Sequence, residues 1–335
     1  MQQAVLEQFL KEFSAGYADR RMQVCELHIA SFSDERLALS GKVLDAGQLE
    51  QLRAALQSSL PAVELDFSQV RVLRQAAPRL LYVNTNLAGV FAQPGWLSEM
   101  LTQCTFGTAL EVLDEQEHWV FTRQLDGYLG WLYRPYLTEM PAPAPTYVVS
   151  APVSLLHSEP NSKSLINSRV PGGTLVQVVS TCLGWAEVDA NRWGWLSMAD
   201  LRPLDGFHPN PEELRKTMVS DALRMVGVMY LWGGSTVYGI DCSGFSQLIY
   251  RWSGINIPRD ADMQYEAARK IEPPYRPGDL LFFSEGGSRK VSHVAISLGD
   301  WRIIHASRAR NGVYVDDLEQ EPALRQILVG AGTFL

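Results

Sequence analysis

The sequence predicts a multidomain α+β chain. Its 335 residues exceed what one small domain needs. Residues from about 76 to 205 repeat a pattern of short alternating strands, and the C-terminal part reads as helices followed by strands. The composition, 46% hydrophobic and 20% charged, is that of an ordinary globular protein, with no low-complexity tract.

Residues 1 to about 20 place Val5, Phe9, Phe13 and Tyr17 four apart, which predicts a helix with one apolar stripe. Segments 21–32 and 36–44 alternate apolar and polar residues and read as strands. Leu49, Leu52, Leu56 and Leu60 predict a second helix, which Pro61 ends, and 63–73 alternates again. Residues 1–75 are thus expected to form a small α/β domain. Its polar residues make no chemical constellation, so a scaffold or contact module is expected.

In the next part of the chain Gly107, Leu110, Trp119, Trp131 and Leu137 are matched by Gly173, Val176, Trp185, Trp195 and Leu201 at offsets of 64 to 66. A constant offset of this size indicates duplicated domains, 76–140 and 146–205. Each ends near a Gly-Trp-Leu, at 130–132 and 194–196. The proline-rich run 140–145 is a stiff linker between them, and 205–211 links the second to the C-terminal segment.

That segment, 212–335, is organised around Asp241-Cys242-Ser243-Gly244-Phe245. Tyr230 to Gly234 close a helical pattern before it, and Phe245, Leu248, Ile249 and Trp252 mark one buried helical face after it. Cys242 is therefore expected at a helix N-terminus, where unpaired N–H groups and the helix dipole favour a thiolate. Downstream, Pro277-Gly278-Asp279 opens the apolar run 280–283, and a second run, 291–298, carries His293 near its start. Gly299-Asp300 makes a two-residue turn into 301–306, so an antiparallel hairpin can bring His305 close to His293. A base beside the nucleophile, oriented by a third polar group, is what cysteine catalysis requires.

Charge and composition exclude several classes. The formal net charge is -8 and no Lys/Arg-rich run occurs, so no nucleic-acid partner is expected. No apolar run approaches the ~18 residues of a membrane span. Four cysteines without metal-site spacing indicate neither a disulfide framework nor zinc, and the three besides Cys242 are expected reduced and buried. The first eleven residues lack a basic and a continuous apolar region, so a cytoplasmic protein is expected, a secreted or periplasmic one being the alternative if a signal has been removed.

Five motifs carry a family resemblance: Tyr-Leu-Trp-Gly-Gly (230–234), Asp-Cys-Ser-Gly-Phe (241–245), Ile-Pro-Arg-Asp-Ala (257–261), Pro-Gly-Asp-Leu-Leu-Phe-Phe (277–283) and Ser-His-Val-Ala-Ile (292–296). In this order they resemble the NlpC/p60 family of bacterial cell-wall cysteine peptidases, over about residues 212 to 335. The resemblance implies a papain-like core with Cys242, His293 and His305 as catalytic residues. The backbone N–H of Cys242, with the Tyr230 hydroxyl, is the expected oxyanion site. No metal or organic cofactor is required. The repeated units resemble bacterial SH3-like barrels, which accompany this family.

The combination resembles a subgroup that cleaves the γ-D-glutamyl–diamino acid bond of peptidoglycan peptides beginning with a free L-alanine. Asp260 matches an acid that contacts the substrate amine, with Asp241 and Ser243 lining the same pocket. In the first barrel Tyr128 and Glu99 are further candidates, and Glu111 competes with Glu99. The expected partner is therefore an L-Ala-γ-D-Glu-diamino acid peptide. Two alternatives stand beside this: an amidase or acyltransferase on a papain-like core, which would need an apolar channel beside Cys242, and a cell-wall binding protein with a degenerate peptidase domain.

Overall fold

The structure is a computed structural model and describes residues 3–205, 210–285 and 290–335. The expected linker at 205–211 lies largely outside the described residues. The chain divides into two compact units, one of residues 1–81 with 109–134, the other of residues 82–108 with 135–335.

In the first unit, helix Gln3–Ala15 and helix Ala46–Ser59 cover a sheet of Cys25–Phe32, Arg36–Val43 and Glu64–Val72. The first two strands are antiparallel, and the helix between the second and third makes that pair parallel. Asp45 caps the second helix, accepting from the Gln48 N–H at 3.0 Å. The first helix buries the stripe predicted for it only in part. Leu6 and Leu10 are its buried residues, while Val5 is 53% exposed. Phe9 and Phe13 flank Leu6 and Leu10 at helical spacing, so the true apolar face is turned by about one residue from the predicted one.

The same unit contains the antiparallel strands Ala109–Gln116, Trp119–Arg123 and Leu129–Tyr133. Leu113 and Leu129 join Val24, Leu44 and Leu73 in one core cluster. Ion pairs Arg74–Glu111 and Arg71–Asp114 run alongside.

The second unit begins with the hairpin of Leu87–Phe91 and Met100–Thr105. Residues 147–203 form a three-stranded and a five-stranded sheet around Val149, Leu156, Val170, Val188 and Leu196. Gly194-Trp195-Leu196 sits on strand Trp193–Ser197, followed by the 3-10 turn Met198–Asp200 and strand Leu201–Pro203. Gly130-Trp131-Leu132 is followed by the same series, turn Arg134–Tyr136 and strand Leu137–Thr138. Each Gly-Trp-Leu is thus followed by the same two short elements.

The C-terminal part holds helices Pro211–Leu223, Cys242–Trp252 and Ala261–Ala267. They accompany a six-stranded antiparallel sheet in the order 269–271, 328–333, 280–283, 293–299, 302–307, 312–317. Helix Pro211–Leu223 stops well before Tyr230, so the Tyr230–Gly234 motif is a loop, not the end of a helix as the sequence pattern suggests. The helix Cys242–Trp252 is buried along nearly its whole length, and Phe245, Ile249 and Trp252 share a core with Phe282, Val294, Ile296 and Ile304. Burying side chains such as Phe245 and Ile249 contributes about 1.5–3 kcal/mol each. That core fixes the helix against the strand that carries His293.

Candidate active site

Cys242 is the first residue of its helix because Asp241 ends the preceding extended segment and caps the turn. The Asp241 Oδ1 accepts from the Gly244 N–H at 2.7 Å, and Oδ2 from the Gly233 N–H at 2.9 Å. Arg259 donates to both carboxylate oxygens, at 3.1 and 2.7 Å, and Ser243 Oγ donates to Oδ1 at 3.3 Å. Arg259 also donates to Ser243 Oγ at 2.9 Å. Asp241 and Ser243 therefore hold the helix entry together.

Cys242 is 7% exposed, and its sulfur accepts from the backbone N–H groups of Val294 and Ser243. Val294 follows His293 in the strand His293–Gly299, so the sulfur lies against the start of that strand. The hairpin predicted around Gly299-Asp300 forms, with both turn residues at positive φ (107° and 52°), and it brings the two histidines together. His293 Nε2 lies 2.7 Å from His305 Nδ1. The Phe283 ring packs on the other side of His293, with centroids 5.7 Å apart. His293 Nδ1 is the ring nitrogen that does not face His305.

Electrostatics depart from the sequence expectation of an easily formed thiolate. Burial, and then the Asp241 carboxylate, push the Cys242 thiol up to about 12. Burial, and then His305, push His293 down to about 3. Desolvation of both groups outweighs the helix N-terminus, and the resting pair is a neutral thiol and a neutral imidazole. Such a pair can act by general-base proton transfer in step with attack.

Tyr230 is half-buried, and burial, then the charges of Cys242 and Asp241, raise its hydroxyl above the usual tyrosine range. It keeps its proton and remains a donor beside the sulfur. Asp260 stands at the start of helix Ala261–Ala267 without capping it, and its Oδ1 is 3.9 Å from Arg259 Nη1.

The strand Met100–Thr105 and the residue before it run along the loop 232–235. Trp232 Nε1 donates to Glu99 Oε1 at 2.8 Å, and the Ser235 N–H donates to Gln103 Oε1 at 2.9 Å. Thr102 Oγ1 accepts from Arg259 Nε at 2.7 Å. Gly233 makes this approach possible: at φ +73° a side-chain carbon would stand 2.2 Å from the Met100 carbonyl oxygen. Glu111 is instead bound by Arg74 and Arg123 in the first unit. Tyr128 also belongs to the first unit, where it is 3% exposed.

Two residues of this network escape sequence reading. Arg259 lies inside a quoted motif, yet nothing local ties it to Asp241. Asp316 Oδ2 is 2.8 Å from His305 Nε2. The Asn311-Gly312 turn signal and strict pairing would place it on the His305 face. Cys25, Cys104 and Cys182 are free thiols as expected, but only Cys104 is buried; Cys182 is exposed on the strand Val178–Cys182.

Residues 227–331 match the NlpC/P60 family, and residues 90–134 match the bacterial dipeptidyl-peptidase SH3 domain. Gamma-D-glutamyl-L-lysine dipeptidyl-peptidase of Bacillus cereus is 28% identical over 260 residues, covering 72% of this chain and 78% of the relative. Dipeptidyl-peptidase 6 of Lysinibacillus sphaericus is 29% identical over 259 residues, covering 72% of this chain and 93% of the relative. The fold matches the crystal structure of an NlpC/P60 family protein from Bacillus cereus with a TM-score of 0.67 at 23% identity, over 76% of this chain and 99% of that one.

Proposed function

We propose that this chain, a cysteine peptidase by its NlpC/P60 domain at residues 227–331, hydrolyses the γ-D-glutamyl–diamino acid bond of peptidoglycan stem peptides. Stems with a free N-terminal L-alanine are its preferred substrates. The observation that carries the peptidase chemistry is Cys242 at a helix start against the strand of His293, with His305 Nδ1 2.7 Å behind His293 Nε2. The name of the Bacillus cereus relative, gamma-D-glutamyl-L-lysine dipeptidyl-peptidase, supports the bond.

In this reading His293 Nδ1 takes the Cys242 proton as the sulfur attacks the γ-carbonyl carbon of D-glutamate. The Cys242 N–H, a first-turn amide without an intrahelical acceptor, and the Tyr230 hydroxyl receive the oxyanion. His293 then passes its proton to the departing amine of the diamino acid, leaving a thioester. Water, deprotonated by His293, releases the glutamate carboxylate and restores the thiol. His305 holds the His293 ring throughout.

The preference for a free amine is supported by Glu99 and Asp260. Glu99 is fixed beside Trp232, in the loop leading to the nucleophile, and Asp260 follows the Arg259 that anchors Asp241. An ammonium removed from water needs an anionic partner, so these acids favour a free stem over one still joined to sugar. A stem freed from sugar is a recycling intermediate, and the reading places the enzyme in the cytoplasm. The test is hydrolysis of L-Ala-γ-D-Glu-meso-diaminopimelate beside the same peptide acetylated at its amine. Cleavage of the free peptide alone is expected; equal rates on both would remove the amine preference.

A further inference from the structure

The strand Gly312–Asp317 pairs antiparallel with the His305 strand, His305 standing opposite Tyr314. Asp316, two residues further, shares their face. Its Oδ2 lies 2.8 Å from His305 Nε2, and the same oxygen accepts from Arg310 Nη2. These contacts with His305 and Arg310 hold the Asp316 carboxyl below the usual carboxylate range.

An ionised carboxylate only accepts hydrogen bonds. His305 Nε2 must then carry the hydrogen of the contact with Asp316. The Nε2–H tautomer of His305 has its lone pair on Nδ1, 2.7 Å from His293 Nε2, which can then donate to it. A neutral His293 protonated at Nε2 has its lone pair on Nδ1. Each tautomer is set by the one behind it.

We infer that Asp316 is a positioning residue that acts through His305 to fix His293 in the Nε2–H tautomer, with Arg310 keeping the Asp316 carboxylate aimed at His305. The inference rests on reading Cys242 as nucleophile and His293 as base, and it deepens that reading by naming what selects the basic nitrogen. Asp316 touches neither substrate nor sulfur. When His293 Nδ1 takes the thiol proton, the imidazolium still donates Nε2–H to His305, and His305 still donates to Asp316. The negative charge of Asp316 faces the new positive charge through one polarised ring, and no proton leaves His305.

The experiment uses the full chain labelled with ¹⁵N-histidine, together with the rate at which iodoacetamide alkylates Cys242. In the wild type, His293 Nδ1 is expected to be a bare, imine-type nitrogen; a proton there would overturn the inference without any variant. In Asp316→Asn, Arg310 draws the amide oxygen and the amide N–H₂ turns toward His305, which reverses both tautomers. His293 Nδ1 then becomes protonated, alkylation slows, and kcat falls on the order of 10²-fold while KM stays within about twofold. A folded Asp316→Asn that keeps the bare Nδ1 and the wild-type alkylation rate overturns the inference. Asp316→Glu keeps the charge and is expected to keep the bare Nδ1. Neither the spectrum nor the alkylation needs a peptide, so a wrong substrate leaves both results standing. Peptide hydrolysis by Cys242→Ala at the wild-type rate, despite a bare Nδ1 in the wild type, would overturn the nucleophile reading instead.

Discussion

Arg259 binds both carboxylate oxygens of Asp241, with Nη1 3.1 Å from Oδ1 and Nη2 2.7 Å from Oδ2, and both residues are buried. The paired geometry suits the planar fork of arginine and no other cation. Through it the Ile-Pro-Arg-Asp-Ala segment is tied to the residue that caps the Cys242 helix. Removing the arginine leaves a buried carboxylate with its charge uncompensated. Arg259→Leu is expected to destabilise the C-terminal fold by about 3–5 kcal/mol, and Arg259→Lys by less but still measurably. Thermal unfolding checks both, and an unchanged Arg259→Leu would contradict the account.

The burial of Cys242 and His293 predicts how stability varies with pH. The folded thiol holds its proton to about 12 against 9.0 for a free cysteine, so the folded state binds the extra proton above pH 9 and stability falls as pH rises further. The folded imidazole stays neutral down to about 3 against 6.5, so the unfolded chain binds the extra proton below pH 6.5 and stability falls as pH drops. The contribution of this pair is greatest between those two limits. Melting temperature against pH should show a shallower alkaline decline in Cys242→Ser and a shallower acid decline in His293→Gln. Slopes identical to wild type in both variants would count against the assignment.

His305 stands between His293 Nε2, 2.7 Å from its Nδ1, and Asp316 Oδ2, 2.8 Å from its Nε2, and an asparagine side chain offers one acceptor and one donor group. His305→Asn is expected to retain kcat within about tenfold, whereas His305→Ala should lose on the order of 10²-fold or more. Steady-state kinetics on the free tripeptide decides. Equal losses in the two variants would remove the orienting role.

Gly233 is where the loop before Cys242 meets the strand Met100–Thr105. Gly233→Ala adds a carbon 2.2 Å from the Met100 carbonyl oxygen in a left-handed conformation. The conformation alone costs about 1–2 kcal/mol, and relief of the clash displaces Trp232 from Glu99. A lower melting temperature and a raised KM for the free tripeptide are expected. Wild-type values for both would show that the loop does not depend on this contact.

The features legible in the sequence are local. Phe245, Leu248, Ile249 and Trp252 at helical spacing give the helix that starts at Cys242, and Gly299-Asp300 sets the hairpin that joins His293 to His305. The first helix shows the limit of that reading: Val5 and Tyr17 extend a four-residue spacing, but packing selects Leu6 and Leu10, because burial depends on what lies opposite. The Cys242 thiol shows the same limit, since a helix N-terminus is visible in sequence and desolvation is not. Arg259 and Asp316 act across 18 and 11 residues, on partners that only the folded register supplies.

The most direct test is mass spectrometry of the products formed from L-Ala-γ-D-Glu-meso-diaminopimelate by the wild type and by Cys242→Ala. Release of L-Ala-D-Glu and free diaminopimelate by the wild type is expected, with intact peptide left by the variant. Products from Cys242→Ala at the wild-type rate, or cleavage by the wild type at the L-Ala–D-Glu bond, would contradict it.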